Sequence, residues 1–199
     1  LTALYLSRFA RGRTGSFLRS GVELLAGIPS VVYGFFGLVI IVPFVRLLGP
    51  GTGLSVLAAS LILGIMILPT VITVAQSALD AVPARYYEGA LALGVDHEHA
   101  VFKVVAPAAA SGIMAAIVLG LGRAIGETMA VVMVAGNMPI IPDSLLSGVR
   151  TMTANIVLEM GYAADLHREA LIATGVVLFV FILLITMLLN VIRKRGEAR

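Results

Sequence analysis

The sequence predicts an all-α, polytopic membrane protein, and three observations support that fold class. First, 59% of the 199 residues are hydrophobic and only 13% are charged, with a mean hydropathy of +1.04, unlike a soluble domain. Second, four segments are long enough to cross a hydrocarbon core of about 30 Å as helices. Third, the alternating pattern of a membrane β-barrel is not seen, and helices pair their own backbone groups in lipid.

The predicted spans form one transmembrane domain over residues 1–199, with four complete spans and an N-terminal stub. The stub covers residues 1–7 and has the composition of the end of an earlier span, so we expect the N-terminal part of the protein to be missing. The four spans are expected at residues 22–48, 54–79, 108–135 and 170–192.

Two pairs of glycines lie about one helical turn apart inside these predicted spans. They are Gly34-x-x-Gly37 in the first span and Gly122-x-x-x-Gly126 in the third. Small residues at this spacing allow two helix backbones to approach closely. We therefore expect helix–helix contacts at both pairs.

The lysine and arginine residues indicate which side of the membrane faces the cytoplasm. Most of these residues lie on one side of the predicted spans, the basic side, and the other side carries only Arg46, Arg150 and Arg168. The basic side is therefore predicted to be cytoplasmic, which makes residues 80–107 a cytoplasmic loop and residues 136–169 an external segment. The residues of the basic side are Arg8, Arg11, Arg13, Arg19, Arg85, Lys103, Arg193, Lys194, Arg195 and Arg199.

The predicted cytoplasmic loop is expected to form two short helices at the membrane surface. Pro83 suits the first turn of a helix, and Gly94 suits the position just after a helix end. A second amphipathic piece follows over residues 98–105. Two such helices would make a docking surface, although the same pattern also fits an interfacial helix that rests on lipid.

Two opposite charges, Arg123 and Glu127, interrupt the apolar run of the third predicted span. A charge at the centre of a membrane helix costs about 2.5–3.5 kcal/mol on insertion scales, whereas an exposed i,i+4 pair gains only about 0.2–0.5 kcal/mol. We therefore expect both side chains to face protein or a water-filled path. One interpretation is a structural bridge between helices. The other is an anion path, in which Arg123 donates to an oxyanion and Glu127 is its counter-charge.

Other chemistry is not indicated by the sequence. Cysteine is absent, and the Asp-His-Glu-His run at residues 96–99 lacks metal-ligand spacing, so we expect no metal site. No G-x-x-x-x-G-K-[ST] motif is present, so nucleotide hydrolysis would belong to a partner. A proton-coupled secondary transporter with Glu127 as relay stays open, although it would not need a docking loop. An intramembrane enzyme lacks a recognisable catalytic constellation.

The cytoplasmic loop resembles the E-A-A-x3-G-x9-I-x-L-P loop of ABC-importer permeases. Gly89, Val104 and Ala106 stand where Ala, Ile and Leu are usual in that family. There the loop inserts into a groove of a cytosolic ATPase, and we call residues 80–107 the coupling loop. By this resemblance the expected ATPase-coupling residues are Glu88, Gly89, Ala90, Gly94 and Pro107.

Three longer stretches are similar to the PstC-type permeases of bacterial phosphate ABC importers. They are "GIPSVVYGFFGL" at 27–38, "ILPTVITVAQSALDAVPARYYEGALALG" at 67–94 and "LGLGRAIGETMAVVMVAGN" at 119–137. The companion permease typically has Ala-Pro where this chain has Met129 and Ala130. Sulfate and molybdate permeases usually have Phe in place of Thr128, and permeases of these oxyanions remain the alternative.

The resemblance implies a MetI-like helical bundle and a transport role. It implies a phosphate path that includes Arg123, Glu127 and Thr128, and no cofactor bound directly to this chain. ATP would be used by a partner ATPase, so the chain itself is not expected to be an enzyme. The implied partners are a second, PstA-like permease, a cytosolic ATPase dimer, an external phosphate-binding protein and lipid, with no nucleic acid. The implied location is the bacterial cytoplasmic membrane, with several passes.

Overall fold

The computed structural model describes residues 1–10 and 12–197, and the side chains of these residues as far as Val191. The described chain is helical, and its only β-type pairing is an isolated bridge between Gly136 and Val149. Its α-helices are α1 Thr2–Arg8, α2 Gly12–Gly27, α3 Ser30–Phe36, α4 Val42–Arg46, α5 Val56–Asp80, α6 Ala84–Ala92, α7 His97–Ala100, α8 Ala106–Ala108, α9 Ala110–Gly126, α10 Met129–Val134, α11 Met152–Glu159 and α12 Asp165–Glu197. Two π-helical turns, Gly37–Ile41 and Val101–Val105, continue α3 into α4 and α7 into α8.

Two helices of the described chain are long and apolar enough to cross a membrane unbroken. They are α5, Val56–Asp80, and Asp165–Val191 of α12, whose apolar windows have mean hydropathies of 2.4 and 2.9. Two bent pairs also qualify if each is one span: Gly12–Gly27 with Ser30–Arg46, and His97–Ala108 with Ala110–Gly126. The structure therefore offers two to four candidate spans, and the predicted span boundaries stay a prediction.

Two of the predicted spans are interrupted by a break between helices. Helix α2 ends at Gly27 and α3 starts after Pro29, because proline lacks an N–H and disfavours helix in the residue before it. Within the third predicted span, α9 ends at Gly126 and α10 starts at Met129. The assumption that Arg123 and Glu127 share one continuous helix is therefore wrong.

The chain forms two compact units, each assembled from separate segments. The first contains Leu1–Gly27, Leu68–Leu121 and the part of α12 from Met187, and the second contains Ile28–Ile67 and Gly122–Thr186. The core of the first unit joins α1, the end of α5 and the coupling loop through buried apolar side chains. These include Leu4, Leu79, Val82, Val101 and Val105.

The second unit is built around the packing of α3 and α4 on α5 and α10. Its buried side chains include Tyr33, Val45, Ile62, Met66, Ala130 and Val134. A Cβ atom built on Gly34 would lie 2.8 Å from Met133 Sδ and 2.9 Å from Ala130 Cα. The predicted close contact at Gly34 is thus made within this unit. At Gly122 and Gly126 a Cβ would meet nothing within 4 Å, so no such contact is made there among the described residues.

The start of α5 is tied to the end of α10 and to the predicted external segment by hydrogen bonds. The N–H groups of Ser55, Val56 and Leu57 donate to the carbonyls of Val134, Ser147 and Leu145, at 3.0, 3.0 and 2.8 Å. The Ser55 hydroxyl accepts the next N–H, that of Ala58, at 3.2 Å. The first N–H groups of a helix have no partner within it, so this segment and Ser55 together cap α5.

Candidate transport site and coupling loop

Glu127 lies in the second unit, at the break between α9 and α10, and it is held by hydrogen bonds. Its carboxylate Oε1 accepts the N–H of Ala130 at 3.2 Å, and its carbonyl accepts the hydroxyl of Thr153 at 3.2 Å. Its own N–H donates to the carbonyl of Ala124 at 3.3 Å. The carboxylate therefore caps the start of α10, where unpaired N–H groups favour an acceptor.

Arg123 lies in the last turn of α9 and is exposed on the surface of this chain. A cation there interacts favourably with the carbonyl end of the helix. The guanidinium also interacts electrostatically with the phenol of Tyr33, a buried residue of α3. The place of Arg123 in a transport path stays a prediction.

Thr128, the third predicted path residue, is half-buried at the start of α10. Its hydroxyl donates to the carbonyl of Gly126 at 3.5 Å, which is a weak contact within the helix break. Thr128 and Glu127 are thus the two residues of the break between α9 and α10. The role of both residues in transport remains a prediction.

A cavity of about 230 Å³ lies next to Glu127 within the second unit. Its polar lining consists of Glu127 and the side chains of Ser60, Thr151 and Thr153, and its apolar lining includes Leu63 and Val131. A water molecule occupies about 30 Å³ in the liquid, so the cavity has room for several. Sequence analysis missed the three hydroxyl residues, because serine and threonine are common in membrane helices and turns without any site.

An ionic network holds the chain next to this cavity. Arg150 donates from Nε to the carbonyl of Asn137 at 2.9 Å and from Nη1 to Glu159 Oε1 at 2.7 Å. The hydrogen bond from Tyr162 and the nearby Arg150 guanidinium hold the pKa of the Glu159 carboxyl below its usual value, against the opposing effect of burial. The network fixes both ends of α11, at whose start Thr151 lies.

The coupling loop belongs to the first unit and contains the two short helices expected from its sequence. Helix α6 ends at Ala92, and Gly94 follows with φ +82°, in the left-handed region that favours glycine. Helix α7 then starts after Asp96, whose carboxylate accepts the N–H of His99 at 3.3 Å. The expected stop at Gly94 is therefore present.

The predicted coupling residues divide by exposure. Ala90 is buried against the rest of the loop, while Glu88, Gly89, Gly94 and Pro107 are exposed. Two apolar side chains at the C-terminal end of α6, Leu91 and Leu93, are also exposed, by 39% and 87%. An exposed carboxylate beside exposed leucines is a surface suited to a protein partner, and ATPase binding itself stays a prediction.

Among the described residues no group of three or more His, Asp or Glu side chains is placed to hold a metal ion. The Asp96–His99 pair forms a contact of 2.6 Å on an exposed turn. This pair belongs to the start of α7, so the run at residues 96–99 serves as a helix cap in the structure.

The apolar helices and the exposed coupling loop define the class of this chain as a helical membrane protein with a cytoplasmic loop of the permease type, and the comparisons with known proteins agree. The family model described as "Binding-protein-dependent transport system inner membrane component" matches residues 1–197. The chain therefore belongs to this family of ABC-transporter membrane components, and it is a membrane protein.

Several curated relatives are similar over most of the chain. "Probable ABC transporter permease protein YqgH" of Bacillus subtilis is 38% identical, over 98% of this chain and 64% of that protein. "Phosphate transport system permease protein PstC" is 37% identical in Mesorhizobium japonicum, over 89% of this chain and 61% of that protein. In Xylella fastidiosa it is 34% identical, over 98% of this chain and 68% of that protein. The chain thus spans about two thirds of the length of these relatives.

The fold is also shared with a solved structure. A chain of the inward-facing MetNI methionine ABC transporter superposes with a TM-score of 0.72, covering 97% of this chain and 82% of that one, at 22% identity. The predicted fold class, an all-α membrane protein of the MetI-like ABC-permease type, is confirmed. The resemblance to PstC-type permeases is confirmed as well.

Proposed function

We propose that this chain is the transmembrane subunit of an ATP-driven phosphate importer of the bacterial cytoplasmic membrane, where it passes the membrane several times. The observation that carries the proposal is the similarity to phosphate transport permeases over 89–98% of the chain. The exposed carboxylate of Glu88 and the exposed leucines at the end of α6 support a coupling role, and the charged helix break beside a hydroxyl-lined cavity supports a transport path.

The proposed transporter contains more than this chain. A second permease of the PstA type would complete the path, and an external binding protein would deliver phosphate. A cytosolic ATPase dimer would bind and hydrolyse ATP, so this subunit would be non-catalytic and would bind no cofactor directly.

In the proposed path Arg123 binds phosphate and Glu127 balances its charge when phosphate is absent. Removing water from an oxyanion is costly unless other donors replace it, and a guanidinium supplies several N–H groups in a planar fork. Arg123 is exposed at the end of α9, where it can reach an ion outside this chain. Thr128 is the third residue of the proposed path.

The test is uptake of labelled phosphate by the full complex reconstituted in vesicles with internal ATP. We expect uptake that depends on ATP and is competed by phosphate more strongly than by sulfate or molybdate. Competition led by sulfate or molybdate would assign the chain to another oxyanion. Uptake driven by a proton gradient without ATP would instead identify a secondary transporter.

The path residues are tested by substitution at Arg123, with subunit abundance and assembly measured beside uptake. Arg123→Lys keeps the charge but loses the fork, so it should lower uptake, and Arg123→Gln should lower it further. If the pair is instead a structural bridge, single substitutions should reduce assembly and the exchanged pair Arg123→Glu, Glu127→Arg should recover uptake. Near-normal uptake in Arg123→Gln would reject the path.

The coupling residues are tested by Glu88→Lys, which reverses an exposed charge on α6. We expect loss of uptake and of the substrate-stimulated ATPase rate, with the subunit still inserted. Glu98→Lys, an equal charge reversal on exposed α7, is the matched control. Normal ATPase stimulation in Glu88→Lys would contradict a docking role for this face.

A further inference from the structure

We propose that Tyr87 and His97 are positioning residues that brace the coupling loop across its bend at Gly94, and that Phe9 ties this brace to α1. The proposal rests on the proposed function, because it assigns the brace a part in passing ATPase motion into the membrane domain. It concerns the first unit alone, where all of these residues lie.

The bend between α6 and α7 lies at Gly94. There the backbone takes φ +82°, and a Cβ atom built on Gly94 would meet nothing within 4 Å. Backbone hydrogen bonds hold the turn itself, from the Gly94 N–H to the Leu91 carbonyl at 2.9 Å and from the Val95 N–H to the Ala90 carbonyl at 3.2 Å. Beyond this turn, the angle between α6 and α7 depends on the side-chain contacts that the two helices make.

One side-chain pair bridges this bend. The Tyr87 hydroxyl and His97 Nδ1 lie 2.8 Å apart, a hydrogen bond between residues on opposite sides of Gly94. Their rings also meet edge to face, with centroids 5.7 Å apart and planes at 86°. Both side chains are half-buried, so the bond is partly shielded from competing water. The pair therefore fixes the angle between α6 and α7.

A second contact carries the brace into α1. The Phe9 ring lies 4.8 Å from the His97 ring in an edge arrangement, and 6.3 Å from the Phe102 ring of the π-helical turn. Just before Phe9, the Arg8 guanidinium donates to the carbonyl of Leu79, at the end of α5, at 2.7 Å. Displacement of His97 is thereby passed to α1, which is itself anchored to α5.

The position of Tyr87 links the brace to the proposed ATPase contact. Tyr87 immediately precedes Glu88, the exposed carboxylate of α6, while its own side chain points inward to His97. A push on the outer face of α6 therefore acts directly on the braced residue. The neighbouring Tyr86 is 47% exposed and has Arg85 over its ring at 5.6 Å, so it offers a matched control.

The experiment compares Tyr87→Phe with Tyr86→Phe in the reconstituted complex. Each change removes one hydroxyl and keeps the ring. The measured quantity is the number of phosphate ions taken up per ATP hydrolysed, with assembly quantified. We expect Tyr87→Phe to lower this ratio about two- to tenfold, the range that one hydrogen bond supports, while ATP hydrolysis continues. Tyr86→Phe should leave the ratio unchanged.

A second measurement reports the angle directly. The chain contains no cysteine, so spin labels on Ala84→Cys and Glu98→Cys, both exposed positions, measure the distance between α6 and α7 when the other subunits are cysteine-free. Tyr87→Phe should broaden that distance distribution, and Tyr86→Phe should not.

The outcomes separate this proposal from the proposed function. If the wild-type complex shows no ATP-driven phosphate uptake, the proposed function fails. If the wild type is active and the two tyrosine variants share one coupling ratio and one distance distribution, the brace is overturned. Loss of assembly in Tyr87→Phe alone would make the pair purely structural and would also overturn its coupling role.

Discussion

Replacing Gly34 by alanine tests whether the contact between α3 and α10 positions the charged helix break. The new Cβ would lie 2.8 Å from Met133 Sδ and 2.9 Å from Ala130 Cα. The methionine side chain can move aside, but the Cα of Ala130 belongs to the backbone of α10, so the two helices must separate. Overpacking of this kind costs about 1–3 kcal/mol, and alanine in a helix recovers about 0.5–1 kcal/mol relative to glycine.

The expected net loss of stability is therefore about 0–2.5 kcal/mol, centred near 1 kcal/mol, together with reduced phosphate uptake. Uptake should fall because the N–H of Ala130, the residue that is pushed, holds the Glu127 carboxylate at 3.2 Å. Gly64→Ala is the matched control, since a Cβ at Gly64 would meet nothing within 4 Å. Thermal stability of the purified subunit in detergent is measured beside uptake in vesicles. Equal stability and uptake of the two variants would refute the reasoning.

Two further predictions concern the start of α5 and the predicted external segment. Ser55→Ala removes the hydroxyl that accepts the Ala58 N–H at 3.2 Å, so the thermal midpoint should fall by an amount corresponding to about 0.5–2 kcal/mol; an unchanged midpoint would contradict the capping role. The Glu159 pKa is lowered from its ordinary value of 4.5, so its contribution to stability is present above pH 4.5 and is lost as the pH falls below that value. Glu159→Gln should therefore lower stability at neutral pH and flatten the acid dependence, measured as thermal midpoint against pH; an unaltered slope would count against the network.

Much of the fold follows from local sequence signals. The long apolar runs of α5 and α12 suffice to predict helices of membrane length, because lipid leaves no other partner for the backbone. The end of α6 at Gly94 was predictable for a similar reason: a left-handed residue after a helix is a property of a few neighbouring residues. The break at Pro29 carries an equally local signal, because a proline inside a predicted span removes a backbone donor and predicts a kink there.

The break at Glu127 could not be predicted in the same way. Hydropathy continues across it, and the spacing of Arg123 and Glu127 fits an unbroken helix. One contact at the break after α9 comes from a distant part of the sequence, since the Thr153 hydroxyl donates to the carbonyl of Glu127. The same holds for Arg150, whose partners Asn137 and Glu159 are 13 and 9 positions away. Such contacts depend on how the external segment folds back, which periodicity does not encode.

The helix break changes the argument about the charge on Glu127. From sequence, a charge inside a continuous span, whose insertion costs about 2.5–3.5 kcal/mol, left two interpretations: a structural bridge to Arg123 and an anion path. The structure adds a local structural role, since the carboxylate accepts the Ala130 N–H at 3.2 Å beside a cavity with three hydroxyl residues. Capping needs an acceptor but not a charge, so the two roles are separable by chemistry.

Glu127→Gln makes that separation, because an amide oxygen can accept the same N–H while the charge is lost. We expect Glu127→Gln to keep nearly wild-type thermal stability and Glu127→Ala to lose stability by about 1–3 kcal/mol, the cost of an unpaired buried donor. If the charge serves transport, both variants should lose phosphate uptake to a similar extent at equal assembly. If Glu127 is only a cap, uptake in Glu127→Gln should match the wild type, and the counter-charge role would be abandoned.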